Sequence, residues 1–205
     1  MKRIVLVVLT ILLLTGCTIV RINTDNIDTI VEIILSKDNN LYNRVGRGYK
    51  YYIPRGVTYI DTDETNEKLY SNGNYYYLYI DIVSYYQKIA EKYSDEENIY
   101  YSRKFTKEEG FSSNGYLKIT KKEKLYYIDF VYNYATIETV VDKDDINNAV
   151  LNSAYILSTI QFNKDVIDLM IDSEKIGNRE EKYEVFKNKE EEDKSELQVN
   201  ENNRK

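Results

Sequence analysis

The sequence lacks histidine and tryptophan, and it contains one cysteine, Cys17, and one proline. Without histidine, catalytic triads with an imidazole base and the common histidine zinc sites are excluded. A single cysteine cannot close a disulfide within the chain. Basic residues number 28 against 34 acidic ones, so the basic footprint of a nucleic-acid-binding protein is missing. We therefore expect no nucleic-acid partner, no cofactor and no metal.

The N-terminus has the layout of a secretory signal peptide. The charged pair Lys2-Arg3 precedes an apolar run of 11 residues, 4–14, and the small pair Thr15-Gly16 precedes Cys17. A membrane-spanning helix needs about 20 apolar residues. This run is too short to span a bilayer, and it predicts a cleaved signal peptide over residues 1–16.

The stretch Leu14-Thr15-Gly16-Cys17 resembles the lipobox of bacterial lipoproteins, in which the signal is cut before the cysteine and the thiol carries a diacylglycerol. The alternative is that Cys17 is an incidental residue of a cleaved signal. The resemblance implies a chain anchored to the outer face of the plasma membrane through lipidated Cys17, because two acyl chains give a stable anchor. Residues 17–23 would then form a tether.

Composition also suggests a source. The chain uses Tyr, Ile, Lys and Asn heavily and has only four alanines. This bias is typical of an AT-rich genome and indicates a low-GC Gram-positive bacterium.

Residues 24–176 are expected to form a single α+β domain. Helical spacing of apolar residues predicts a helix over 25–37, a second whose apolar stripe runs from Ile146 to Ile160, and a short third over 165–175. Between the first two, runs rich in Tyr, Ile and Val predict strands at 49–53, 57–61, 68–71, 75–83, 98–105, 115–121, 125–132 and 134–141. The pair Asn72-Gly73 predicts a type I′ hairpin turn.

This order predicts an antiparallel sheet packed with an N-terminal and a C-terminal helix, with a three-layer sandwich as one form of it. Residues 85–93 fit either a helix or a ragged strand. Residues 177–205 carry seven basic and nine acidic side chains and few apolar ones. They are predicted to be a charged, disordered tail, because they cannot bury enough surface to offset the ordering entropy.

Two stretches of the domain, Tyr51-Tyr52-Ile53-Pro54-Arg55-Gly56 and Ile156-Leu157-Ser158-Thr159-Ile160-Gln161-Phe162, are similar to the "sf-x-iP-x-g" and "il-x-S-x-x-f" motifs of PsbP-like domains. The aromatic residue that usually follows the glycine is Val57 here. The resemblance implies a three-layer sandwich and a binding or accessory role. It assigns no functional residue to this chain.

Tyrosine is the outlying residue type, with 22 in the chain. In a strand the side chains alternate between two faces, so Tyr77, Tyr79 and Asp81 should share one face of strand 75–83. The same alternation places Tyr127 beside Asp129 in strand 125–132. These five residues form the candidate binding surface, because exposed tyrosines suit sugars, peptides or cationic groups.

The plainer alternative is that these are ordinary solvent-facing residues. Their aspartates would then meet cross-strand basic residues such as Lys118 or Arg103. A carboxylate pair, Asp81 and Asp129, could instead serve as the acid and base of a glycan hydrolase. We assign no catalytic residue, because that chemistry needs a defined separation and a cleft.

Two further sequence patterns bear on metal and phosphate binding. Four carboxylates, Asp61, Asp63, Glu64 and Glu67, cluster in a predicted loop and offer oxygen atoms to a cation, but their spacing excludes an EF-hand. The glycines at 46, 48 and 56 do not follow the strand-to-helix pattern of a phosphate-binding loop. We assign no metal ligand.

The expected function is that of a lipid-anchored extracytoplasmic binding or accessory lipoprotein without catalytic activity. Its partners would be the membrane, through Cys17, and an envelope glycan or protein. The alternatives are a carboxylate-dependent hydrolase of envelope glycans and a structural envelope protein.

Overall fold

A computed structural model describes residues 25–89, Tyr93 and residues 98–174. These residues form a large antiparallel sheet, a small one and several helices, which confirms the α+β class. The expectations for the signal peptide (1–16), the tether (17–23) and the tail (177–205) lie outside the described residues.

Three of the four helices in the described residues lie where the sequence pattern predicts them, and the fourth, over 82–87, begins within the predicted strand 75–83. They are α1 (Ile27–Leu35), α2 (Ile82–Gln87), α3 (Ile146–Ser158) and α4 (Lys164–Glu174). Asn26 caps α1, since its side chain accepts a hydrogen bond of 2.8 Å from the backbone N–H of Asp28, the usual role of Asn before a helix. No helix within the described ranges has both the length and the apolar character needed to cross a bilayer.

Seven strands form the large sheet, in the order β3-β4-β5-β9-β8-β7-β6, with every neighbouring pair antiparallel. They are β3 (Thr58–Asp63), β4 (Asn66–Ser71), β5 (Asn74–Ile80), β6 (Ile99–Phe105), β7 (Gly115–Lys122), β8 (Leu125–Tyr132) and β9 (Ala135–Val141). The small sheet has the order β1-β2-β10, from Arg44–Val45, Tyr49–Tyr51 and Gln161–Phe162.

The core lies between one face of the large sheet and helices α1 and α3. Helix α3 packs on β8 and β9, and α1 packs on α3. Helix α1 is also bonded to the sheet, because the hydroxyl of Tyr132 donates to the carbonyl of Leu35 at 3.0 Å. Both helices therefore cover the same face, which is lined by buried side chains such as Leu117 and Ile137.

The small sheet covers the β3–β4 edge of the same face. The hydroxyls of Tyr49 and Tyr51 donate to the carboxylate of Glu67 on β4, and Arg44 Nε is 2.7 Å from Glu67 Oε2. Glu67 was predicted in a loop with Asp61, and this was wrong. Residues 58–71 form a hairpin, and strand alternation turns Glu67 into the core.

Candidate binding face on the large sheet

Four of the five predicted surface residues lie on one face of the large sheet, opposite α1 and α3. Tyr77 and Tyr79 belong to β5, and Tyr127 and Asp129 belong to β8. Strand β9 lies between them, and Glu138 of β9 is paired with both Tyr77 and Asp129. We call this surface the polar face.

Asp81 is the exception, because the strand ends at Ile80 and not at residue 83 as predicted. Asp81 is the N-cap of α2, and its carboxylate accepts a hydrogen bond of 2.8 Å from the backbone N–H of Ser84. Aspartate is among the best N-cap residues. The prediction that Asp81 shares a strand face with Tyr77 and Tyr79 was therefore wrong.

A row of charged residues crosses the middle of the polar face. The strand register aligns Lys118, Asp129, Glu138, Tyr77 and Lys68. Lys118 Nζ lies 3.4 Å from Asp129 Oδ2. The cross-strand partner expected for Asp129 under the plainer interpretation is thus present, and Lys118 is only 5% exposed.

The other basic residue named in that interpretation, Arg103, lies elsewhere. Its Nη1 is 3.0 Å from Asp28 Oδ1 at the start of α1. Asp129 is bonded instead within its own face, where the hydroxyl of Tyr116 donates to Oδ2 at 3.2 Å.

Glu138 is the residue of this face that the sequence analysis did not single out. Burial, together with repulsion from neighbouring Asp129, raises the pKa of the Glu138 carboxyl to about 8, and the attraction of Lys118 offsets only part of this rise. The carboxyl is thus largely protonated at neutral pH. This environment exists only because β7, β8 and β9 lie side by side in the sheet. Strand alternation in β9 turns the Glu138 side chain to the polar face.

Two buried oxygen atoms of the polar face have no hydrogen-bond partner in the described part of the chain. They are Oε2 of Glu138 and Oδ1 of Asn66. Asn66 is paired with Tyr79 and Glu138 with Tyr77, so the two oxygens lie on either side of the β5 tyrosines. Buried polar atoms are normally bonded, and an exception calls for a physical reason.

Lysines flank the tyrosine rings at this face. Lys68 Nζ is 4.5 Å from the ring centre of Tyr75, and Lys122 Nζ is 4.6 Å from that of Tyr127. The face therefore combines ring surfaces, hydrogen-bond donors and hydrogen-bond acceptors in one area. That combination suits a ligand with many hydroxyl groups.

The described side chains contain no cluster of three or more potential metal ligands. Asp61 and Asp63 lie on β3, and Glu67 faces the core from β4. No family model, no curated protein and no solved structure matches this chain.

Proposed function

We propose that this chain is a lipoprotein anchored through Cys17 to the outer face of the plasma membrane, and that its domain binds an envelope glycan on the polar face. In this proposal it acts as a binding or accessory protein and not as a catalyst. The lipobox-like residues 14–17 support the location. The geometry of the large sheet supports the binding role.

The observation that carries the binding proposal is the unpartnered Oε2 of Glu138 beside the partly buried Tyr77. A buried polar atom without a hydrogen bond costs about 1–3 kcal/mol. A rotation of the Glu138 side chain that exposed this oxygen to a ligand hydroxyl would remove that cost. Protonated carboxyl groups and sugar hydroxyls both donate and accept, so the two are complementary.

The neighbouring groups extend this complementarity. Asn66 Oδ1 offers a second unpartnered acceptor among the described residues, on the far side of the β5 tyrosines. Tyrosine rings supply rigid contact area with little loss of conformational entropy. A glycan strand lying across β4, β5 and β9 would meet all of these groups.

A glycan hydrolase is the second candidate, and one observation favours it. Glu138 has its pKa raised to about 8 and is directly paired with Asp129. Two carboxyl groups in different environments are the usual acid and base of glycoside hydrolysis. In this version Glu138 takes the acid role that the sequence analysis considered for Asp81.

Sedimentation with purified peptidoglycan sacculi tests the binding proposal. The wild type should pellet with the sacculi, and the Tyr77→Ser/Tyr79→Ser double variant should bind at least tenfold more weakly. Tyr86→Ser is the matched control, because Tyr86 is an exposed tyrosine on α2, away from the polar face. Equal binding by wild type and double variant would contradict the proposal.

The same samples separate the two candidates. A hydrolase would release soluble reducing ends from the sacculi, and Glu138→Gln would abolish the release. A binding protein would release none while remaining in the pellet.

A further inference from the structure

The chain enters the described domain at one end of the large sheet. The carboxylate of Asp28, in the first turn of α1, accepts hydrogen bonds from Tyr101 at 2.6 Å and Arg103 at 3.0 Å. The other end of α1 meets Tyr132, which is paired with Ala135. Helix α1 therefore runs along the strands, and its N-terminus lies at the end that holds the turns at 72–73 and 123–124. We call this the entry end.

Exposed apolar side chains collect at the entry end. Five large ones lie there on four different strands, with exposed fractions between 37% and 48%: Tyr70, Tyr75, Ile99, Tyr100 and Leu125. Exposed lysines accompany them at the β7–β8 turn, namely Lys121, Lys122 and Lys124 around a single acidic residue, Glu123. The turn therefore carries a local excess of positive charge.

The distance from the proposed anchor to the entry end is short. Seven residues lie between Cys17 and Asp25, and the eight steps from one to the other, at 3.3–3.6 Å each, span at most about 29 Å. This step rests on the lipidation of Cys17 in the proposed function. Given that anchor, the entry end is the end of the domain that the tether holds nearest to the membrane.

We propose that the entry end docks on anionic phospholipid headgroups through its strand tips, with Tyr75 and Leu125 at the interface and Lys122 and Lys124 on the headgroups. Tyrosine favours the boundary between hydrocarbon and water, and lysines near a surface are attracted to anionic lipids. Acidic residues Asp142, Asp144 and Asp145 precede α3, on the helix side of this end, where Asn74 Nδ2 donates to Asp145 Oδ2 at 3.2 Å. The contact therefore falls on the strand side.

The absence of tryptophan allows a direct test. Leu125→Trp places a single fluorophore at the entry end, and Tyr86→Trp places one on α2, at the opposite end. Each full-length, lipidated variant is reconstituted into phosphatidylglycerol vesicles whose acyl chains are brominated near the headgroup. We expect at least twofold quenching at position 125 and little at position 86.

Charge dependence completes the test. Adding Lys122→Glu and Lys124→Glu to Leu125→Trp should remove most of the quenching, and so should replacing phosphatidylglycerol with brominated phosphatidylcholine. Vesicle flotation is measured on every sample. Protein that does not float overturns the anchoring itself. Protein that floats without quenching at position 125, or with equal quenching at both positions, overturns the docking and leaves the anchoring intact.

Discussion

Tyr79 and Ile80 are neighbours in β5 with opposite environments. Ile80 is 1% exposed in the core, whereas Tyr79 lies on the polar face. Ile80→Ala should lower the free energy of unfolding by about 2–5 kcal/mol, through lost burial and the cavity left behind. Tyr77→Ser/Tyr79→Ser should lower it by less than Ile80→Ala does, because both tyrosines are only half-buried on the polar face.

Urea denaturation of the wild type, Ile80→Ala and the double tyrosine variant measures which substitution lowers the free energy of unfolding more. If the double tyrosine variant loses as much stability as Ile80→Ala, the β5 tyrosines are part of a packed core. The binding proposal would then fail, because those rings would not be accessible to a ligand.

Glu138 should make stability depend on pH. Its pKa is raised to about 8 in the folded chain, against about 4.3 for an unperturbed glutamate. The folded state therefore holds the proton more tightly, and the free energy of unfolding should fall as the pH rises from about 4.3 to 8, by at most about 1.4 kcal/mol per pH unit. Glu138→Gln should remove this component, as thermal unfolding of both proteins across that range would reveal.

Glutamine keeps the shape of the side chain and cannot ionise, so the difference between the two curves isolates residue 138. Parallel curves over pH 5 to 8 would contradict the raised pKa.

The sequence could predict the faces of Tyr77 and Asp129 because strand alternation is a local rule. It could not predict the role of Asp81, since capping and strand continuation compete at that position, and in the structure its carboxylate accepts from the backbone N–H of Ser84. The sequence also could not show that the pKa of Glu138 is raised. The pKa of Glu138 depends on burial and on Asp129 and Lys118, which only long-range strand pairing brings beside it.

At the scale of the secondary-structure elements, Glu67 of the large sheet holds the small sheet in place by hydrogen bonds with Tyr49 and Tyr51. Burial, reinforced by the Glu67 carboxylate, raises the pKa values of Tyr49 and Tyr51, so both hydroxyls remain donors. Tyr51→Phe removes one hydrogen bond to a charged group and should cost about 1.5–3 kcal/mol. Tyr52→Phe, at the next position on the chain, is the control and should cost less than 1 kcal/mol.

Chemical denaturation measures both variants. If both substitutions lower the free energy of unfolding equally and by less than 1 kcal/mol, the hydrogen bonds to Glu67 do not stabilise the contact between the two sheets.

The long elements follow from local patterns, and the short ones do not. The helix predicted at 25–37 is observed at Ile27–Leu35, and the strand predicted at 134–141 is observed at Ala135–Val141. Strands β1 and β10 were missed, because each has only two residues and exists through its pairing with β2. The backbone N–H of Tyr52, just after β2, also donates to the hydroxyl of Thr159, shortly before β10, at 3.0 Å.

For the whole molecule, we propose that location depends on Cys17. Replacing it with Ala should release the protein from the membrane or leave it as an uncleaved precursor, because the acyl chains can no longer be attached. Cell fractionation with immunoblotting measures both outcomes. Normal processing together with recovery in the membrane fraction would contradict lipidation.

Contact between a glycan and the Glu138 carboxyl of the polar face is what we propose above all. Its most direct test is carbon-13 NMR titration of the labelled glutamate carboxyls, with Glu138 assigned from the signal lost in Glu138→Gln. The free protein should show an apparent pKa near 8 for Glu138, and soluble peptidoglycan fragments should shift both that pKa and the resonance. A pKa near 4.3 in the free protein, or a signal that the fragments leave unchanged at saturation, would contradict the account.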